Sequence, residues 1–335
     1  MDDDVAGLGR RRFLGRAAVG IGVAWAAPVV LSSPAAAQAS AGAGLVAVGV
    51  DGARTWTSDA GANWASATTP ISGAGAAVAT DGAGSWVGVG SGTVPAWRSA
   101  GGADWTDATT PIDGDGAGVA TDGSGTWVAV GVSGSRAWRS IDAGATWSPA
   151  TTAVDGSADA VATDRLGTWV AVGSGGSRAW RSTDGGQNWA PATTPINGFG
   201  TAVASDGDGV WVAVGGTGAL AWRSTDNGVT WTAATTAPNG PCGGVASDAG
   251  GRWIAVGYGG ARTWVSTDGG ANWAAVTTPI DTDGYAVTTE GAGTWVAVGD
   301  GNRSWRSIDD GDTWTIASTP TDGLGEGVAF DRLLP

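Results

Sequence analysis

Trp169-Val-Ala-Val-Gly173, running on through Arg178-Ala-Trp180-Arg181-Ser182-Thr-Asp184-Gly-Gly-Gln-Asn-Trp189, decides how the rest of the chain is read. Its first five residues recur at Trp127, Trp211 and Trp295, and in altered form at Leu45, Trp86 and Trp253. These starts lie 41 or 42 residues apart, so the chain beyond Ser40 is one unit repeated seven times. Each unit holds four strand-length pieces bounded by Gly, Asp or Pro, and none is long enough for an ordinary helix. One four-stranded antiparallel sheet with two apolar faces cannot bury itself, whereas seven set radially bury each other. The expected fold is therefore all-β, a seven-bladed β-propeller of four-stranded antiparallel blades over residues 40–335. The termini agree with a ring. The chain enters at a second strand near Leu45 and ends on Glu326-Gly-Val-Ala-Phe-Asp331, which matches a first strand. That last segment is expected to pair with the strand at Leu45 and close the circle.

Composition narrows the chemistry. The 335 residues include 61 Gly and 21 Trp, with no His, no Lys and one Cys. Without His there is no Ser-His-Asp triad and no His-ligated zinc. One Cys excludes an internal disulfide and a CxxC pair. The net charge of -14 repels phosphate backbones, so nucleic acid is a poor partner. The same acidity would suit a salt-loaded environment.

Residues 1–39 read as an address. Arg10-Arg11-Arg12-Phe13-Leu14 precedes an apolar run from Ala17 to Leu31, and Ala37-Gln38-Ala39 offers a small-residue cleavage site. This pattern resembles a twin-arginine export signal. The run is shorter than the ~20 residues that span a bilayer. The expected product is exported after folding, has no membrane span after cleavage, and is a monomer.

The turn Ser182-Thr-Asp184-Gly-Gly-Gln-Asn-Trp189 resembles an Asp box, also called a BNR repeat. Equivalent turns carry Asp142, Asp226, Asp268 and Asp309; the turn with Asp59 is one residue shorter, and Ser99-Ala-Gly-Gly-Ala-Asp-Trp105 lacks the Asp. The resemblance covers nearly the whole chain after the leader. It implies a relation to sialidases, sortilin-type receptors and photosystem-assembly-factor-like proteins, with the box as the turn between third and fourth strands. The box carboxylates are read as local structure, accepting backbone N–H groups across a tight turn. A second column, Asp81, Asp122, Asp164, Asp206, Asp248, Glu290 and Asp331, receives the same structural reading at the turn between first and second strands.

Arginine is periodic too. Arg98, Arg139, Arg181, Arg223 and Arg306 follow the third-strand Trp, and Arg54, Arg136, Arg178, Arg262 and Arg303 precede it by two. At that spacing the second set is expected to share a strand face with the Trp and to stack on indoles between blades.

A site is sought where the repeats differ, in the linkers between blades at the end opposite the boxes. One column there reads Ala74, Asp115, Ser157, Phe199, Pro241, Asp283, Leu324, and another Ala76, Ala117, Asp159, Thr201, Gly243, Tyr285, Glu326. Asp115, Asp159, Phe199, Asp283, Tyr285 and Glu326 are the candidate ligand-binding residues, with Phe199 and Tyr285 as anchors. The column Asp113, Asp155, Asn197, Asn239, Asp281 and Asp322 reads as Asx-Gly turn chemistry. Asp113-Gly-Asp115 and Asp281-Thr-Asp283 show two oxygens each, short of the six to eight calcium takes. Cys242 reads as a small buried residue rather than a nucleophile. No metal or cofactor is expected. The implied sialidase chemistry needs converging Arg, a Tyr–Glu pair and an Asp acid, and the Arg columns diverge. The expected function is a non-catalytic recognition scaffold for a glycan or protein. The alternatives are a sialidase-like glycoside hydrolase and a photosystem-assembly-factor-like chaperone.

Overall fold

The computed structural model describes residues 44–331. Residues 1–39, expected above to be an export signal, lie outside the described residues. The chain forms seven four-stranded antiparallel sheets, and each innermost strand packs against the innermost strands of both neighbouring sheets, so the sheets close into a ring. This is a seven-bladed β-propeller. Blade 1 is assembled from both ends of the chain: Gly325–Phe330 inside, then Leu45–Gly49, Thr55–Ser58 and Ala65–Ser66. Leu45 pairs with Phe330 and Ala47 with Val328, as the repeat phase requires. Blades 2 to 7 follow in order, with inner strands starting at Ala74, Gly116, Ser157, Gly200, Cys242 and Gly284. No helix among the described residues is long and apolar enough to cross a membrane.

The fourth strands are shorter than the sequence pattern implies. Most have two residues, both exposed, such as Ala190–Pro191 in blade 4. Proline cannot donate to a further ladder, so it belongs on an edge, and a short edge resists pairing with other chains. The first, second and third strands carry the burial. Trp-Val-Ala-Val-Gly is buried along its whole length because one side packs inside the blade stack and the other against the neighbour. The apolar clusters accordingly straddle seams: Val87, Val89 and Ala96 of blade 2 pack with Val119, Trp127, Trp138 and Trp147 of blade 3.

The Ser-x-Asp turns act between blades as well as within them. In blade 4, Ser182 Oγ donates to Asp184 Oδ1 at 2.8 Å and accepts from Gly186 N at 3.1 Å. Asp184 Oδ1 accepts the amides of Gln187 and Asn188, and Trp189 Nε1 donates to Gly186 O. The whole turn then leans on blade 3. Trp189 N donates to Thr152 O at 2.9 Å, and Gly186, at φ 80°, sits on Val128. A Cβ added there would meet Val128 Cγ2 at 2.6 Å. The same glycine meets Val296, Val87, Val170, Val212 or Ile254 of the preceding blade at five other turns. The carboxylate acts locally, as expected, and the turn's glycine and Trp amide carry the contact between blades.

The first arginine column joins this seam. Arg181 Nε donates to Asn227 O in the turn of blade 5 at 2.8 Å, and Arg139 and Arg223 lie against Gly185 and Gly269 of the next turns. Blade 6 has Val265 at that position, and Arg252 reaches the corresponding carbonyl, Asp310 O, from another turn. Blade 1 has Thr57 there, facing the one turn without its Asp.

Two outcomes test this architecture. Truncation before Glu326 leaves the strand at Leu45 unpaired on one side; the shortened chain should lose its single cooperative melt and self-associate in size-exclusion chromatography. Gly186→Ala should cost about 2–4 kcal/mol, strain plus the clash with Val128. Gly259→Ala, at φ 67° with nothing within 4 Å, should cost only about 1 kcal/mol in the same denaturant titration.

Candidate functional site

The second variable column has a structural identity that its spacing does not reveal. Pairing in each inner strand skips one residue: Ala76, Ala117, Asp159, Thr201, Gly243, Tyr285 or Glu326. Each is a bulged residue that the strand register skips, and a bulge re-aims its side chain. Seven bulges stand at one end of the ring. All seven residues are buried, so Asp159, Tyr285 and Glu326 lie below the rim. Asp115, Phe199 and Asp283, in the linkers just before the bulges, are half-buried and form the rim itself.

Around the rim the chemistry changes from blade to blade. At blades 2 and 3, Ala76 and Ala117 pack with Val132. At blades 4 and 5, the Arg178 guanidinium carbon stands 5.7 Å from the centre of the Phe199 ring, a cation–π contact of roughly 0.5–1 kcal/mol. Thr201 Oγ1 donates in the space between Cys242 O at 2.8 Å and Val214 O at 3.1 Å. At blades 6 and 7, Tyr258 meets Tyr285 edge-on, with ring centres 6.4 Å apart. Burial pushes the Tyr258 phenol up, and the nearby Cys242, Tyr285, Glu326 and Asp283 push it further. Arg262 Nε lies 3.7 Å from Asp283 Oδ1. Tyr285 also shares an apolar cluster with Leu324. Cys242 is fully buried in its inner strand and burial pushes its thiol up, so it has no thiolate to offer as a nucleophile.

Two sequence readings are corrected here. Arg54, Arg136, Arg178 and Arg262 are not on strands beside the Trp. They occupy the last turn position before the third strand at φ 60–62°, so the strand alternation that predicted a shared face does not apply. Their reach is to the next linker: Arg54 to Ser72 O, Arg178 to Phe199, Arg262 to Asp283. Arg303 lies on its strand and bonds Asp281.

The Asx column does more than shape a turn. Third-strand indoles donate to Asp322, Asp113, Asp155, Asn197, Asn239 and Asp281, and to Ser72 in blade 2, at 2.6–3.0 Å. Asp155 also accepts Ser177 N at 2.9 Å and Ser177 Oγ at 2.8 Å. The Ser177 amide, then its hydroxyl and the Trp180 indole, hold the Asp155 carboxyl below its ordinary value against the opposing effect of burial. Asp113 and Asp281 are likewise committed to indoles, which leaves the two Asp-x-Asp segments few oxygens for a cation. Among the described residues no group of three or more Cys, Asp or Glu has the arrangement of a metal site.

The sequence pattern does not mark Ser174 as a partner of Asp159, nor place Arg178 and Tyr258 at the rim. Asp159 bonds the Ser174 hydroxyl and amide, yet burial dominates and pushes its carboxyl up to about 8. The signal for Ser174 was present: it occupies the same repeat position as Tyr258, directly after the second-strand Gly.

No protein-family model matches the chain, and no curated protein matches it. Solved structures do. Similar in fold are YCF48 bound to a D1 peptide (16% identity, 87% of this chain and 88% of that one, TM-score 0.56), and the Niastella koreensis GH74 enzyme (16%, 91% and 68%, 0.56). A chain of the nidogen/laminin complex (14%, 75% and 100%, 0.56) is similar too. The shared property is the propeller.

Asp159 supplies a pH test. Its folded value of about 8 lies above the ordinary 3.8, so folding favours the neutral acid. The cost of that preference is absent below the ordinary value, grows as pH rises toward 8, and is constant beyond. Asp159→Asn should therefore leave acid-side stability unchanged and raise stability at alkaline pH by roughly 1–3 kcal/mol, read from melts across pH.

Proposed function

We propose that this protein is a non-catalytic binding scaffold that takes a peptide or protein segment across the mouth of its ring. The observation that carries this reading is the contrast between seams and mouth. The seams repeat the same glycine-on-β-branched contact and the third strands repeat the same Trp–Asx bond, whereas rim and bulge residues differ at nearly every blade. A varied ring on a uniform scaffold is how a loop-borne binding surface is built. Phe199, half-buried and covered by Arg178, is the apolar anchor, since aromatic and Arg residues dominate protein interfaces. Asp115 and Asp283 supply acceptors elsewhere on the rim, each two blades away from Phe199. Tyr285, Asp159 and Glu326 act from below, where burial fixes their positions.

Two neighbours in fold add support, one bound to a D1 peptide and one from a nidogen/laminin complex. The arginines of this end turn to linker partners rather than converging on one point, which disfavours sialidase-like clamping of a carboxylate. We further assign the chain to Asp-box propellers carried out of the cytoplasm by a twin-arginine leader, on the strength of Ser182-Thr-Asp184-Gly-Gly-Gln-Asn-Trp189 and Arg10-Arg11-Arg12.

Selection of a random peptide display library on the wild type should yield binders whose affinity falls about ten-fold or more in Phe199→Ala. Tyr285→Phe should cost less than two-fold by the same argument, roughly. Equal binding by Phe199→Ala places the ligand elsewhere, and turnover of a sialoside would falsify the non-catalytic reading.

A further inference from the structure

The flank of the ring carries a second feature that repeats. Between blades 4 and 5 lies a cleft of about 420 Å³ lined by Arg181, Asp184, Asn188, Pro191, Thr193 and Val229, among others. A cleft of about 290 Å³ between blades 3 and 4 is lined by Arg139, Pro149, Thr151 and Gln187. These four stand at the repeat positions of Arg181, Pro191, Thr193 and Val229, so the two clefts share a frame, with Gln187 in place of Val229 and no carboxylate in the smaller lining. The larger volume falls in the range of small-ligand sites, roughly 300–1,000 Å³.

The walls state what would fit. Arg181 is pinned through Nε to Asn227 O, which fixes its fork against the cleft. Asn188 Nδ2 donates to Asp184 Oδ2 at 2.8 Å and Asn188 Oδ1 accepts Thr152 Oγ1 at 2.9 Å, so the exposed Asp184 Oδ2 and the second Nδ2 hydrogen are what this wall offers. Exposed Thr183 and Thr193 add hydroxyls, and Pro191 and Val229 give a short apolar wall. Donors and acceptors crowded beside a small apolar surface match the alternating hydroxyl and C–H faces of a sugar ring. An extended peptide is a poorer occupant, because the fourth strand beside the cleft is two residues long and one is proline, leaving little backbone to pair with. Anionic polymers are disfavoured by the Asp184 wall and the net charge of -14.

We propose that the clefts at the blade 3–4 and 4–5 seams are saccharide sites that hold neutral sugar units of a single polymer chain. Each contact is shallow and weak alone. Once one cleft is occupied, the next seam offers its equivalent at a fixed spacing, so the second unit binds as an intramolecular event. This site is independent of the mouth.

Affinity electrophoresis of the full chain in gels containing laminarin, mannan or dextran, with alginate as the anionic comparison, tests the proposal. At least one neutral polysaccharide should retard the wild type and Phe199→Ala equally. Thr151→Tyr with Thr193→Tyr fills both clefts from exposed positions and should weaken retardation about ten-fold or more, with either change alone giving an intermediate loss. Hydrogen exchange of the wild type with the retarding polysaccharide should show protection over residues 148–151 and 187–193, which decides the matter if the filled variant melts early. No retardation by any neutral polysaccharide, retardation by alginate only, retardation that survives both fillings, or loss on Phe199→Ala would each overturn it.

Discussion

A glycine pressed on a β-branched side chain of the blade before it is the contact on which the ring depends. The turn that carries this glycine has to be tight, left-handed at the glycine, and held from inside. Ser182 and Asp184 meet those needs by satisfying the turn amides, and Trp189 covers the hairpin while donating its own amide to the preceding blade. Local turn chemistry and inter-blade packing are therefore one arrangement. Its repetition accounts for one Trp per blade and for part of the Gly and Asp content.

Variation at the seams is compensated rather than tolerated at random. Arg252 reaches Asp310 O where Val265 has displaced the usual arginine. Thr57 stands opposite the single turn that lacks its Asp, where no equivalent acceptor geometry is required of it. At that seam Thr69 Oγ1 bonds Asp104, in the place where Thr152 bonds Asn188 between blades 3 and 4, so this repeat contact persists where the guanidinium is missing. A scaffold held this uniformly leaves the bulges and linkers at the mouth free to differ. Their side chains do not decide whether the blades close.

Acid sensitivity follows from the same design. Asp155, Asp322 and Asp268 sit below their ordinary value chiefly because amide, indole or side-chain donors bond the charged form. The stability they lend is present above the usual carboxylate range and is lost as pH falls through their lowered values. Asp159 runs the other way because burial outweighs its bonds to Ser174.

Period and phase are one-dimensional properties, and the sequence alone determined everything that follows from them. Seven units, four strands each, Glu326-Gly-Val-Ala-Phe-Asp331 closing on Leu45, and the end of the ring where blades differ could all be counted. Distances between units could not. Nothing in the spacing of Ala76, Asp159 and Tyr285 marks them as bulges, because a bulge is defined by the partner strand. The left-handed turn that carries Arg178 away from Trp180 and over Phe199 is equally silent in a residue pattern, since arginine is not the residue such a φ selects. The indole bond to Asn197 joins residues 25 apart, and the cleft beside Pro191 exists only where two blades meet. Contacts of this kind depend on how neighbouring repeats are placed in space, and only the tertiary structure decided them.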